Sequence, residues 1–350
     1  MTLLRVALFV VGVAFLGVLV ATNDPTAIFG SITRLSWRLA VIACFPFALI
    51  TMFDTLGWHF AFLRPRVPFR TLLAMRLAGE AFNLTTPTAS LGGEAVKVLM
   101  LRGRVPLDEA WLSVVVAKTT IMIGQGLFLL VGIVITWLAG PADSRLLGWM
   151  LWLLAVEVLA IVGFLVAQIQ GGFGWVPRVL GRLGLGRSRH RETVDRLDRG
   201  LAWFYRNEPR RLVLSIGFHF VAWLLGSLEA YLILYFLGLE VSLETATIIE
   251  ALGTAVRFAT FLVPASLGAL EGGYVATFTA LGLAPSAGVA FGLARRVREL
   301  VWIAVGFAAF TAIRHAPGEP VARPVAPAEP AQRAEPAASA ESESRLQPPH

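Results

Sequence analysis

Cysteine is almost missing from this chain. Cys44 is the only one, which excludes an intramolecular disulfide and leaves too few sulfurs for a thiolate metal site. Lying inside an apolar stretch, it reads as a small buried hydrophobe. The five histidines show no metal-ligand spacing. There is no Walker phosphate loop, no GxSxG elbow, no zincin helix and no dinucleotide fingerprint. The segments between apolar runs are also too short for a nucleotide-using domain, so no cofactor, no metal and no ATP-driven activity is expected. Charge is scarce as well: 15% of residues are Asp, Glu, Lys or Arg, against about 25% in soluble domains.

What replaces them is apolar side chain. With 56% hydrophobic residues over 350 positions, the chain carries more than a soluble domain could bury, which places it in a bilayer. Six stretches approach or exceed the ~18–20 residues needed to cross the hydrocarbon core: Leu4 to Ala21, Trp37 to Phe60, Ala110 to Ala139, Leu146 to Ala167, Leu212 to Leu237 and Val289 to Ile313. The first begins with Arg5 as a signal peptide does, but no small-x-small cleavage site precedes Asn23, so it reads as a retained anchor.

The net charge of +7 needs no nucleic acid to explain it, because the basic residues collect in a few loops. From Arg178 to Arg211 there are ten arginines against Glu192, Asp195, Asp198 and Glu208. The positive-inside rule makes this loop, taken as 170–211, cytoplasmic, in a multi-pass protein of the inner (plasma) membrane. Val194, Leu197, Leu201 and Phe204 share one helical face there, which suggests an amphipathic helix on the inner leaflet; a solvated loop that only holds topology is the alternative. Arg64, Arg66, Arg70, Arg102, Arg104 and Arg314 then fall inside, and Asp24, Asp143, Glu240 and Glu244 outside, although Arg34 and Arg38 sit on that outer side too. Beyond residue 315 the Ala/Pro/Glu/Ser-rich tail to His350 has the composition of a disordered, cytoplasmic segment.

This topology requires the segments near 71–101 and 246–283 to enter the membrane and return. Each holds two short apolar halves around a Pro/Gly/Ser interruption, and non-helical backbone survives at that depth only where protein or a wet cavity satisfies it. The interruptions repeat one phrase: "TPTASLGGEAVK" from Thr86 to Lys97 and "VPASLGALEGG" from Val263 to Gly273. Pro87 and Pro264 precede ASLG, which spans Ala89 to Gly92 and Ala265 to Gly268, and Glu94 and Glu271 follow. Lys118 and Arg295 each come 24 residues after that carboxylate. The expected fold is therefore an all-α polytopic membrane protein with about six spanning helices and two re-entrant broken-helix hairpins, arranged as an inverted-topology repeat. Residues 1–315 form one domain, with halves of about 1–140 and 146–315.

Interrupted helices at corresponding places in two halves point to a transporter's substrate site; close packing of small residues is the plainer explanation. Charges sharpen the first reading. Glu80, Glu94, Lys97 and Lys118 in one half, and Glu250, Arg257, Glu271, Arg295, Arg296, Arg298 and Glu299 in the other, each cost about 2.5–3.5 kcal/mol at a helix centre if unpaired. Arg295 with Glu299, and Glu94 with Lys97, have the spacing to pair on one helix face, and Glu94 and Glu271 suit a helix N-terminus. Lys118 has no acid within a turn and needs Glu80, Glu94 or an anionic group. Asn83, Thr85, Thr86 and Gln125 are candidate cavity residues, while His59, Glu157, His219 and Glu229 stay unassigned.

"RLAGEAFNLTTPTASLGGEAVK", "VVVAKTTIMIGQGLF" and "VPASLGALEGGYVATFTALGL…ARRVREL" resemble the flippase-like integral membrane family, also called the lysylphosphatidylglycerol synthase transmembrane region, and within it the hopanoid-biosynthesis-associated subgroup. The resemblance covers most of residues 1–315. It implies a lipid-handling membrane domain without the soluble aminoacylating domain, so the synthase activity does not carry over. The residues expected to bind substrate, from the interruptions, the charges and the resemblance together, are Glu80, Asn83, Thr86, Pro87, Ser90, Gly92, Gly93, Glu94, Lys97, Lys118, Arg257, Pro264, Ser266, Glu271, Gly272, Gly273, Arg295, Arg296 and Glu299. The expected function is a flippase or secondary transporter for a hopanoid or phospholipid, with membrane lipids as partners. The alternatives are a non-catalytic subunit for a lipid-biosynthetic enzyme, contacting it through the basic loop, and an enzyme using Glu94 and Glu271 as acid and base.

Overall fold

The computed structural model describes residues 2–35, 37–64, 67–86, 92–139, 145–171 and 189–315. Pro87, Ser90, most of the basic cluster before Arg189 and the tail after His315 lie outside them. The described chain is helical throughout: α1 Thr2–Thr22, α2 Pro25–Leu35, α3 Arg38–Phe60, α4 Phe69–Thr85, α5 Gly92–Leu101, α6 Leu107–Ala139, α7 Leu146–Ile169, α8 Arg189–Asn207, α9 Pro209–Phe236, α10 Leu243–Ala259, α11 Ala269–Ala280 and α12 Pro285–His315.

Among the described residues α3, α6, α7 and α9 are long and apolar enough to cross a membrane. Six spans were expected. The segment expected from Val289 to Ile313 does form a 31-residue helix, α12, but Arg295, Arg296, Arg298 and Glu299 break its apolar run. In α1 the described apolar stretch is Val13–Thr22. Helix α7 turns most of its surface outward, burying Leu146, Met150, Glu157 and Gln168. Cys44, expected to be buried, is exposed on α3: lipid tails are as apolar as a core, so an apolar position here need not face protein.

The second expected interruption is present, and helices end and begin on either side of the first, whose residues 87–91 lie outside the described ones. Helices α4 and α5, of 17 and 10 residues, flank the first, and α10 and α11, of 17 and 12 residues, flank the second. Each set follows a long helix, α3 or α9, and precedes another, α6 or α12, so one order of lengths occurs twice. Packing crosses between the sets: α3 lies along α9, α4 along α12, and α10 along α6. Glycines permit these approaches. A Cβ on Gly57 of α3 would fall 2.5 Å from His219 Nε2 of α9, one on Gly306 of α12 would strike the Leu77 carbonyl of α4, and one on Gly132 of α6 would sit 2.5 Å from Ala251 Cβ of α10.

Helix α8 forms where the basic loop suggested an amphipathic helix, but its apolar face is not left for lipid. Leu197, Leu201 and Phe204 are buried with Leu112 and Val116 of α6 and with Trp58 and Phe62. Tyr205 donates to Gln168 Oε1 at 2.6 Å, and Thr119 and Gln168 hydrogen-bond to each other, tying α8 to α6 and α7. Burial raises the Tyr205 phenol pKa to about 12, so it stays a donor.

Candidate functional site

A cavity of about 330 Å³ opens between the two sets of helices. Its wall takes residues from α3, α4, α5 and α6 on one side and from α9, α10, α11 and α12 on the other, together with Val263, Ala265 and Ser266 from the second interruption. Six acids line it, Asp54, Glu80, Glu94, Glu229, Glu250 and Glu299. Six bases do too: Arg76, Lys97, Lys118, Arg257, Arg295 and Arg298. The formal charge of the wall is therefore zero.

On the α10–α12 side the charges form a closed lattice. Arg295 grips Glu250 through both terminal nitrogens, at 2.6 and 2.9 Å, and donates to the Tyr274 hydroxyl at 2.7 Å. Arg298 donates to both oxygens of Glu229, at 2.7 and 2.6 Å, and lies 4.4 Å above the Phe47 ring. Glu299 accepts from Arg257 at 2.8 Å and from Arg296 at 2.7 Å. Arg295 and Glu299, spaced to pair along one face, do not pair with each other: Arg295 goes to Glu250 of α10, and Glu299 takes Arg257 of α10 and Arg296 of its own helix. Arg295 meets Glu250 in the two-nitrogen fork that a planar guanidinium can make and an ammonium cannot.

The second interruption is fastened from the same lattice. Ala265 and Ser266 adopt left-handed backbone, with φ of 51° and 49°, at roughly 1–2 kcal/mol per non-glycine residue. Arg296 donates to the Ala265 carbonyl at 3.0 Å and to Glu271 Oε1 at 2.7 Å, while Glu271 Oε2 accepts from the Gly268 amide at 2.8 Å at the start of α11. Thr260 donates to the Ser266 hydroxyl at 3.0 Å.

On the α3–α6 side the wall is looser. Asp54 of α3 meets Arg76 of α4 at 2.5 Å and His219 Nδ1 of α9 at 2.9 Å. Lys97 bonds Glu94 at 3.0 and 3.1 Å, the local pair its spacing suggested. Asn83 links the arms of the first hairpin, accepting from the Gly93 amide at 2.8 Å and donating to Glu94 at 3.3 Å. A Cβ on Gly93 would collide with the Gly79 carbonyl, so these arms touch backbone to backbone. Lys118 and Glu80 line the cavity without an ion pair or hydrogen bond among the described residues, each only within electrostatic range of the Glu94–Lys97 pair.

Of the expected substrate-binding residues, Glu80, Asn83, Glu94, Lys97, Lys118, Arg257, Ser266, Arg295 and Glu299 line the cavity. Glu271 and Arg296 stand behind the wall as fasteners of the second interruption. Gly92 and Gly93 begin α5, Thr86 ends α4, and Gly272 and Gly273 lie in α11, none of them on the cavity surface; Pro264 opens the second interruption. Glycine there serves helix contact: a Cβ on Gly273 would come 3.1 Å from Val256. Gln125 reaches the cavity, Thr85 and Thr86 bond their own helix, and of the unassigned residues Glu229 and His219 join the charge lattices. Glu157 is buried on α7 away from the cavity, and neither carboxylate oxygen has a hydrogen-bond partner.

Asp54 and Arg76 went unnoticed in the sequence, although a lone acid deep in an apolar 23-residue helix is a signal in itself. Tyr274, Trp223 and Trp302 carry no such signal, because aromatic residues fill membrane helices everywhere.

A curated "UPF0104 membrane protein" from Methanothermobacter thermautotrophicus is 26% identical over 326 residues, covering 86% of this chain and 93% of that protein. No solved structure gives a significant match. The family model described as "Lysylphosphatidylglycerol synthase TM region" matches residues 3–306, which takes in both interruptions and every charge of the cavity wall, and the chain belongs to that family.

Proposed function

We propose that this protein is a carrier rather than a catalyst: a flippase or secondary transporter that moves an amphipathic lipid, of the hopanoid or phospholipid class, across the inner membrane. The observation that carries this reading is the cavity lined by both hairpins and walled by twelve charged side chains. So many ions inside an apolar bundle, without a metal-binding cluster among the described residues, suit the handling of a polar headgroup. The repeated order of lengths and the exchange of partners between the sets support an inverted repeat, in which α4–α5 and α10–α11 enter the membrane from opposite faces. In this scheme the headgroup crosses through the cavity while the tails stay in lipid.

The test is reconstitution in liposomes with fluorescent lipids of several headgroups, following loss of signal to a membrane-impermeant quencher. Wild-type protein is expected to flip at least one class ten-fold faster than empty vesicles, and Glu94→Gln and Lys118→Ala to remove most of that gain. Rates equal to empty vesicles for every class would end the proposal. The cytoplasmic placement of 170–211 has its own check: an Arg206→Cys label site in a Cys44→Ser background should react with impermeant maleimide only from the cytoplasmic side.

A further inference from the structure

We infer that the cavity selects a zwitterionic headgroup, one carrying an anionic and a cationic group with no net charge; this rests on the transport reading above and names its substrate class. Ten of the twelve charges on the wall are already closed into ion pairs with one another or with Arg296. The two left open are of opposite sign, Glu80 on α4 and Lys118 on α6. Both are half-buried rather than sealed, so a ligand in the cavity can reach them.

The arginines opposite are poor anion sites. Arg295 spends both terminal nitrogens on Glu250, Arg298 holds both oxygens of Glu229 through one nitrogen and Arg257 donates to Glu299, so each guanidinium charge already faces a carboxylate, and the Nε donors of Arg295 and Arg298 are buried beneath the surface. Among the described residues of the wall, an incoming phosphate therefore finds in Lys118 a cation without an ion-pair partner, and an incoming ammonium finds in Glu80 an anion without one. An anionic headgroup would satisfy Lys118 but leave Glu80 unpaired on the same cavity wall and give the cavity a net negative charge, which is costly in a low-dielectric interior. A zwitterion closes both. The Trp223, Trp302, Phe258 and Phe261 side chains on the same wall add aromatic faces that favour an ammonium over a hydrated metal ion. At about 330 Å³ the space suits a headgroup rather than a whole phospholipid.

The same chemistry could come from a lipid headgroup or from a free zwitterion, and the experiment separates them. Full-length protein in detergent is titrated calorimetrically with dihexanoyl lipids bearing phosphoethanolamine or phosphoglycerol, and with free phosphoethanolamine as competitor. The phosphoethanolamine lipid is expected to bind at least ten-fold more tightly than the phosphoglycerol lipid. Glu80→Gln should reverse that order, Lys118→Gln should weaken both lipids, and the exchanged pair Glu80→Lys with Lys118→Glu should restore the wild-type order. Equal or tighter phosphoglycerol binding by wild-type protein overturns the inference, and so does an order that Glu80→Gln leaves unchanged. Free phosphoethanolamine that competes as well as the lipid keeps the zwitterion site but overturns a lipid source. Liposomes in which no lipid moves, while this binding order holds, sink the transport reading and leave the headgroup assignment standing.

Discussion

The two hairpins are interrupted at matching phrases, yet they are held in opposite ways. The first is closed by backbone contact, Gly79 against Gly93, with Asn83 as its bridge. The second contains three left-handed residues, Ala265, Ser266 and Gly268, and is clamped by Arg296 and Glu271. The walls beside them differ likewise: every charge is paired on one side, while the other combines the closed pairs Asp54–Arg76 and Glu94–Lys97 with two open charges, Glu80 and Lys118. A lattice of buried ion pairs resists rearrangement because each ion removed strands another. Under the proposed transport reading the open wall exchanges a partner for a ligand, which puts specificity on the α4–α6 side and leaves the shape of the cavity to the α10–α12 side.

Substitutions can break this contrast, and the largest effect is expected in the lattice. Arg295→Met leaves Glu250 buried without its bidentate partner, at about 3–5 kcal/mol, seen as a strongly lowered unfolding temperature in detergent. Gly93→Ala forces a methyl group into the Gly79 carbonyl; it should cost about 1–3 kcal/mol and separate α4 from α5, measurable as faster amide exchange there. Arg296→Gln releases the Ala265 carbonyl and Glu271, at about 2 kcal/mol, with exchange rising at 260–271 while 79–94 stays protected. If exchange rises equally in both hairpins, they are not independently fastened and the contrast fails. Smallest in stability is Glu80→Gln, which removes an unpaired charge and should shift unfolding by less than about 1 kcal/mol. Its effect belongs to transport, which should change at least ten-fold in headgroup preference.

Much of the fold was legible because bilayer physics writes it in plain runs. The segments near 71–101 and 246–283 announced their interruptions by Pro, Gly and Ser, and helices appear on both flanks of each. Lys118 was legible as a charge without a local partner, and it does line the cavity without one. Glu271 and Arg296 were recognisable as special but not as fasteners, since nothing in a linear pattern separates a side chain that lines a cavity from one bonding the backbone behind it. The partners of Asp54 and Arg295 were not legible, because Arg76 and Glu250 lie 22 and 45 residues away and are invisible to helical spacing.

The sequence by itself determined that the chain is helical and apolar, where its helices are interrupted, and which charges had to be sheltered, because helix periodicity and the cost of an ion in hydrocarbon act on neighbouring residues. Which charges meet was decided only when α4 packed along α12 and α10 along α6. An ion pair is a matter of a few ångströms in space, and that distance exists only once the two halves have come together.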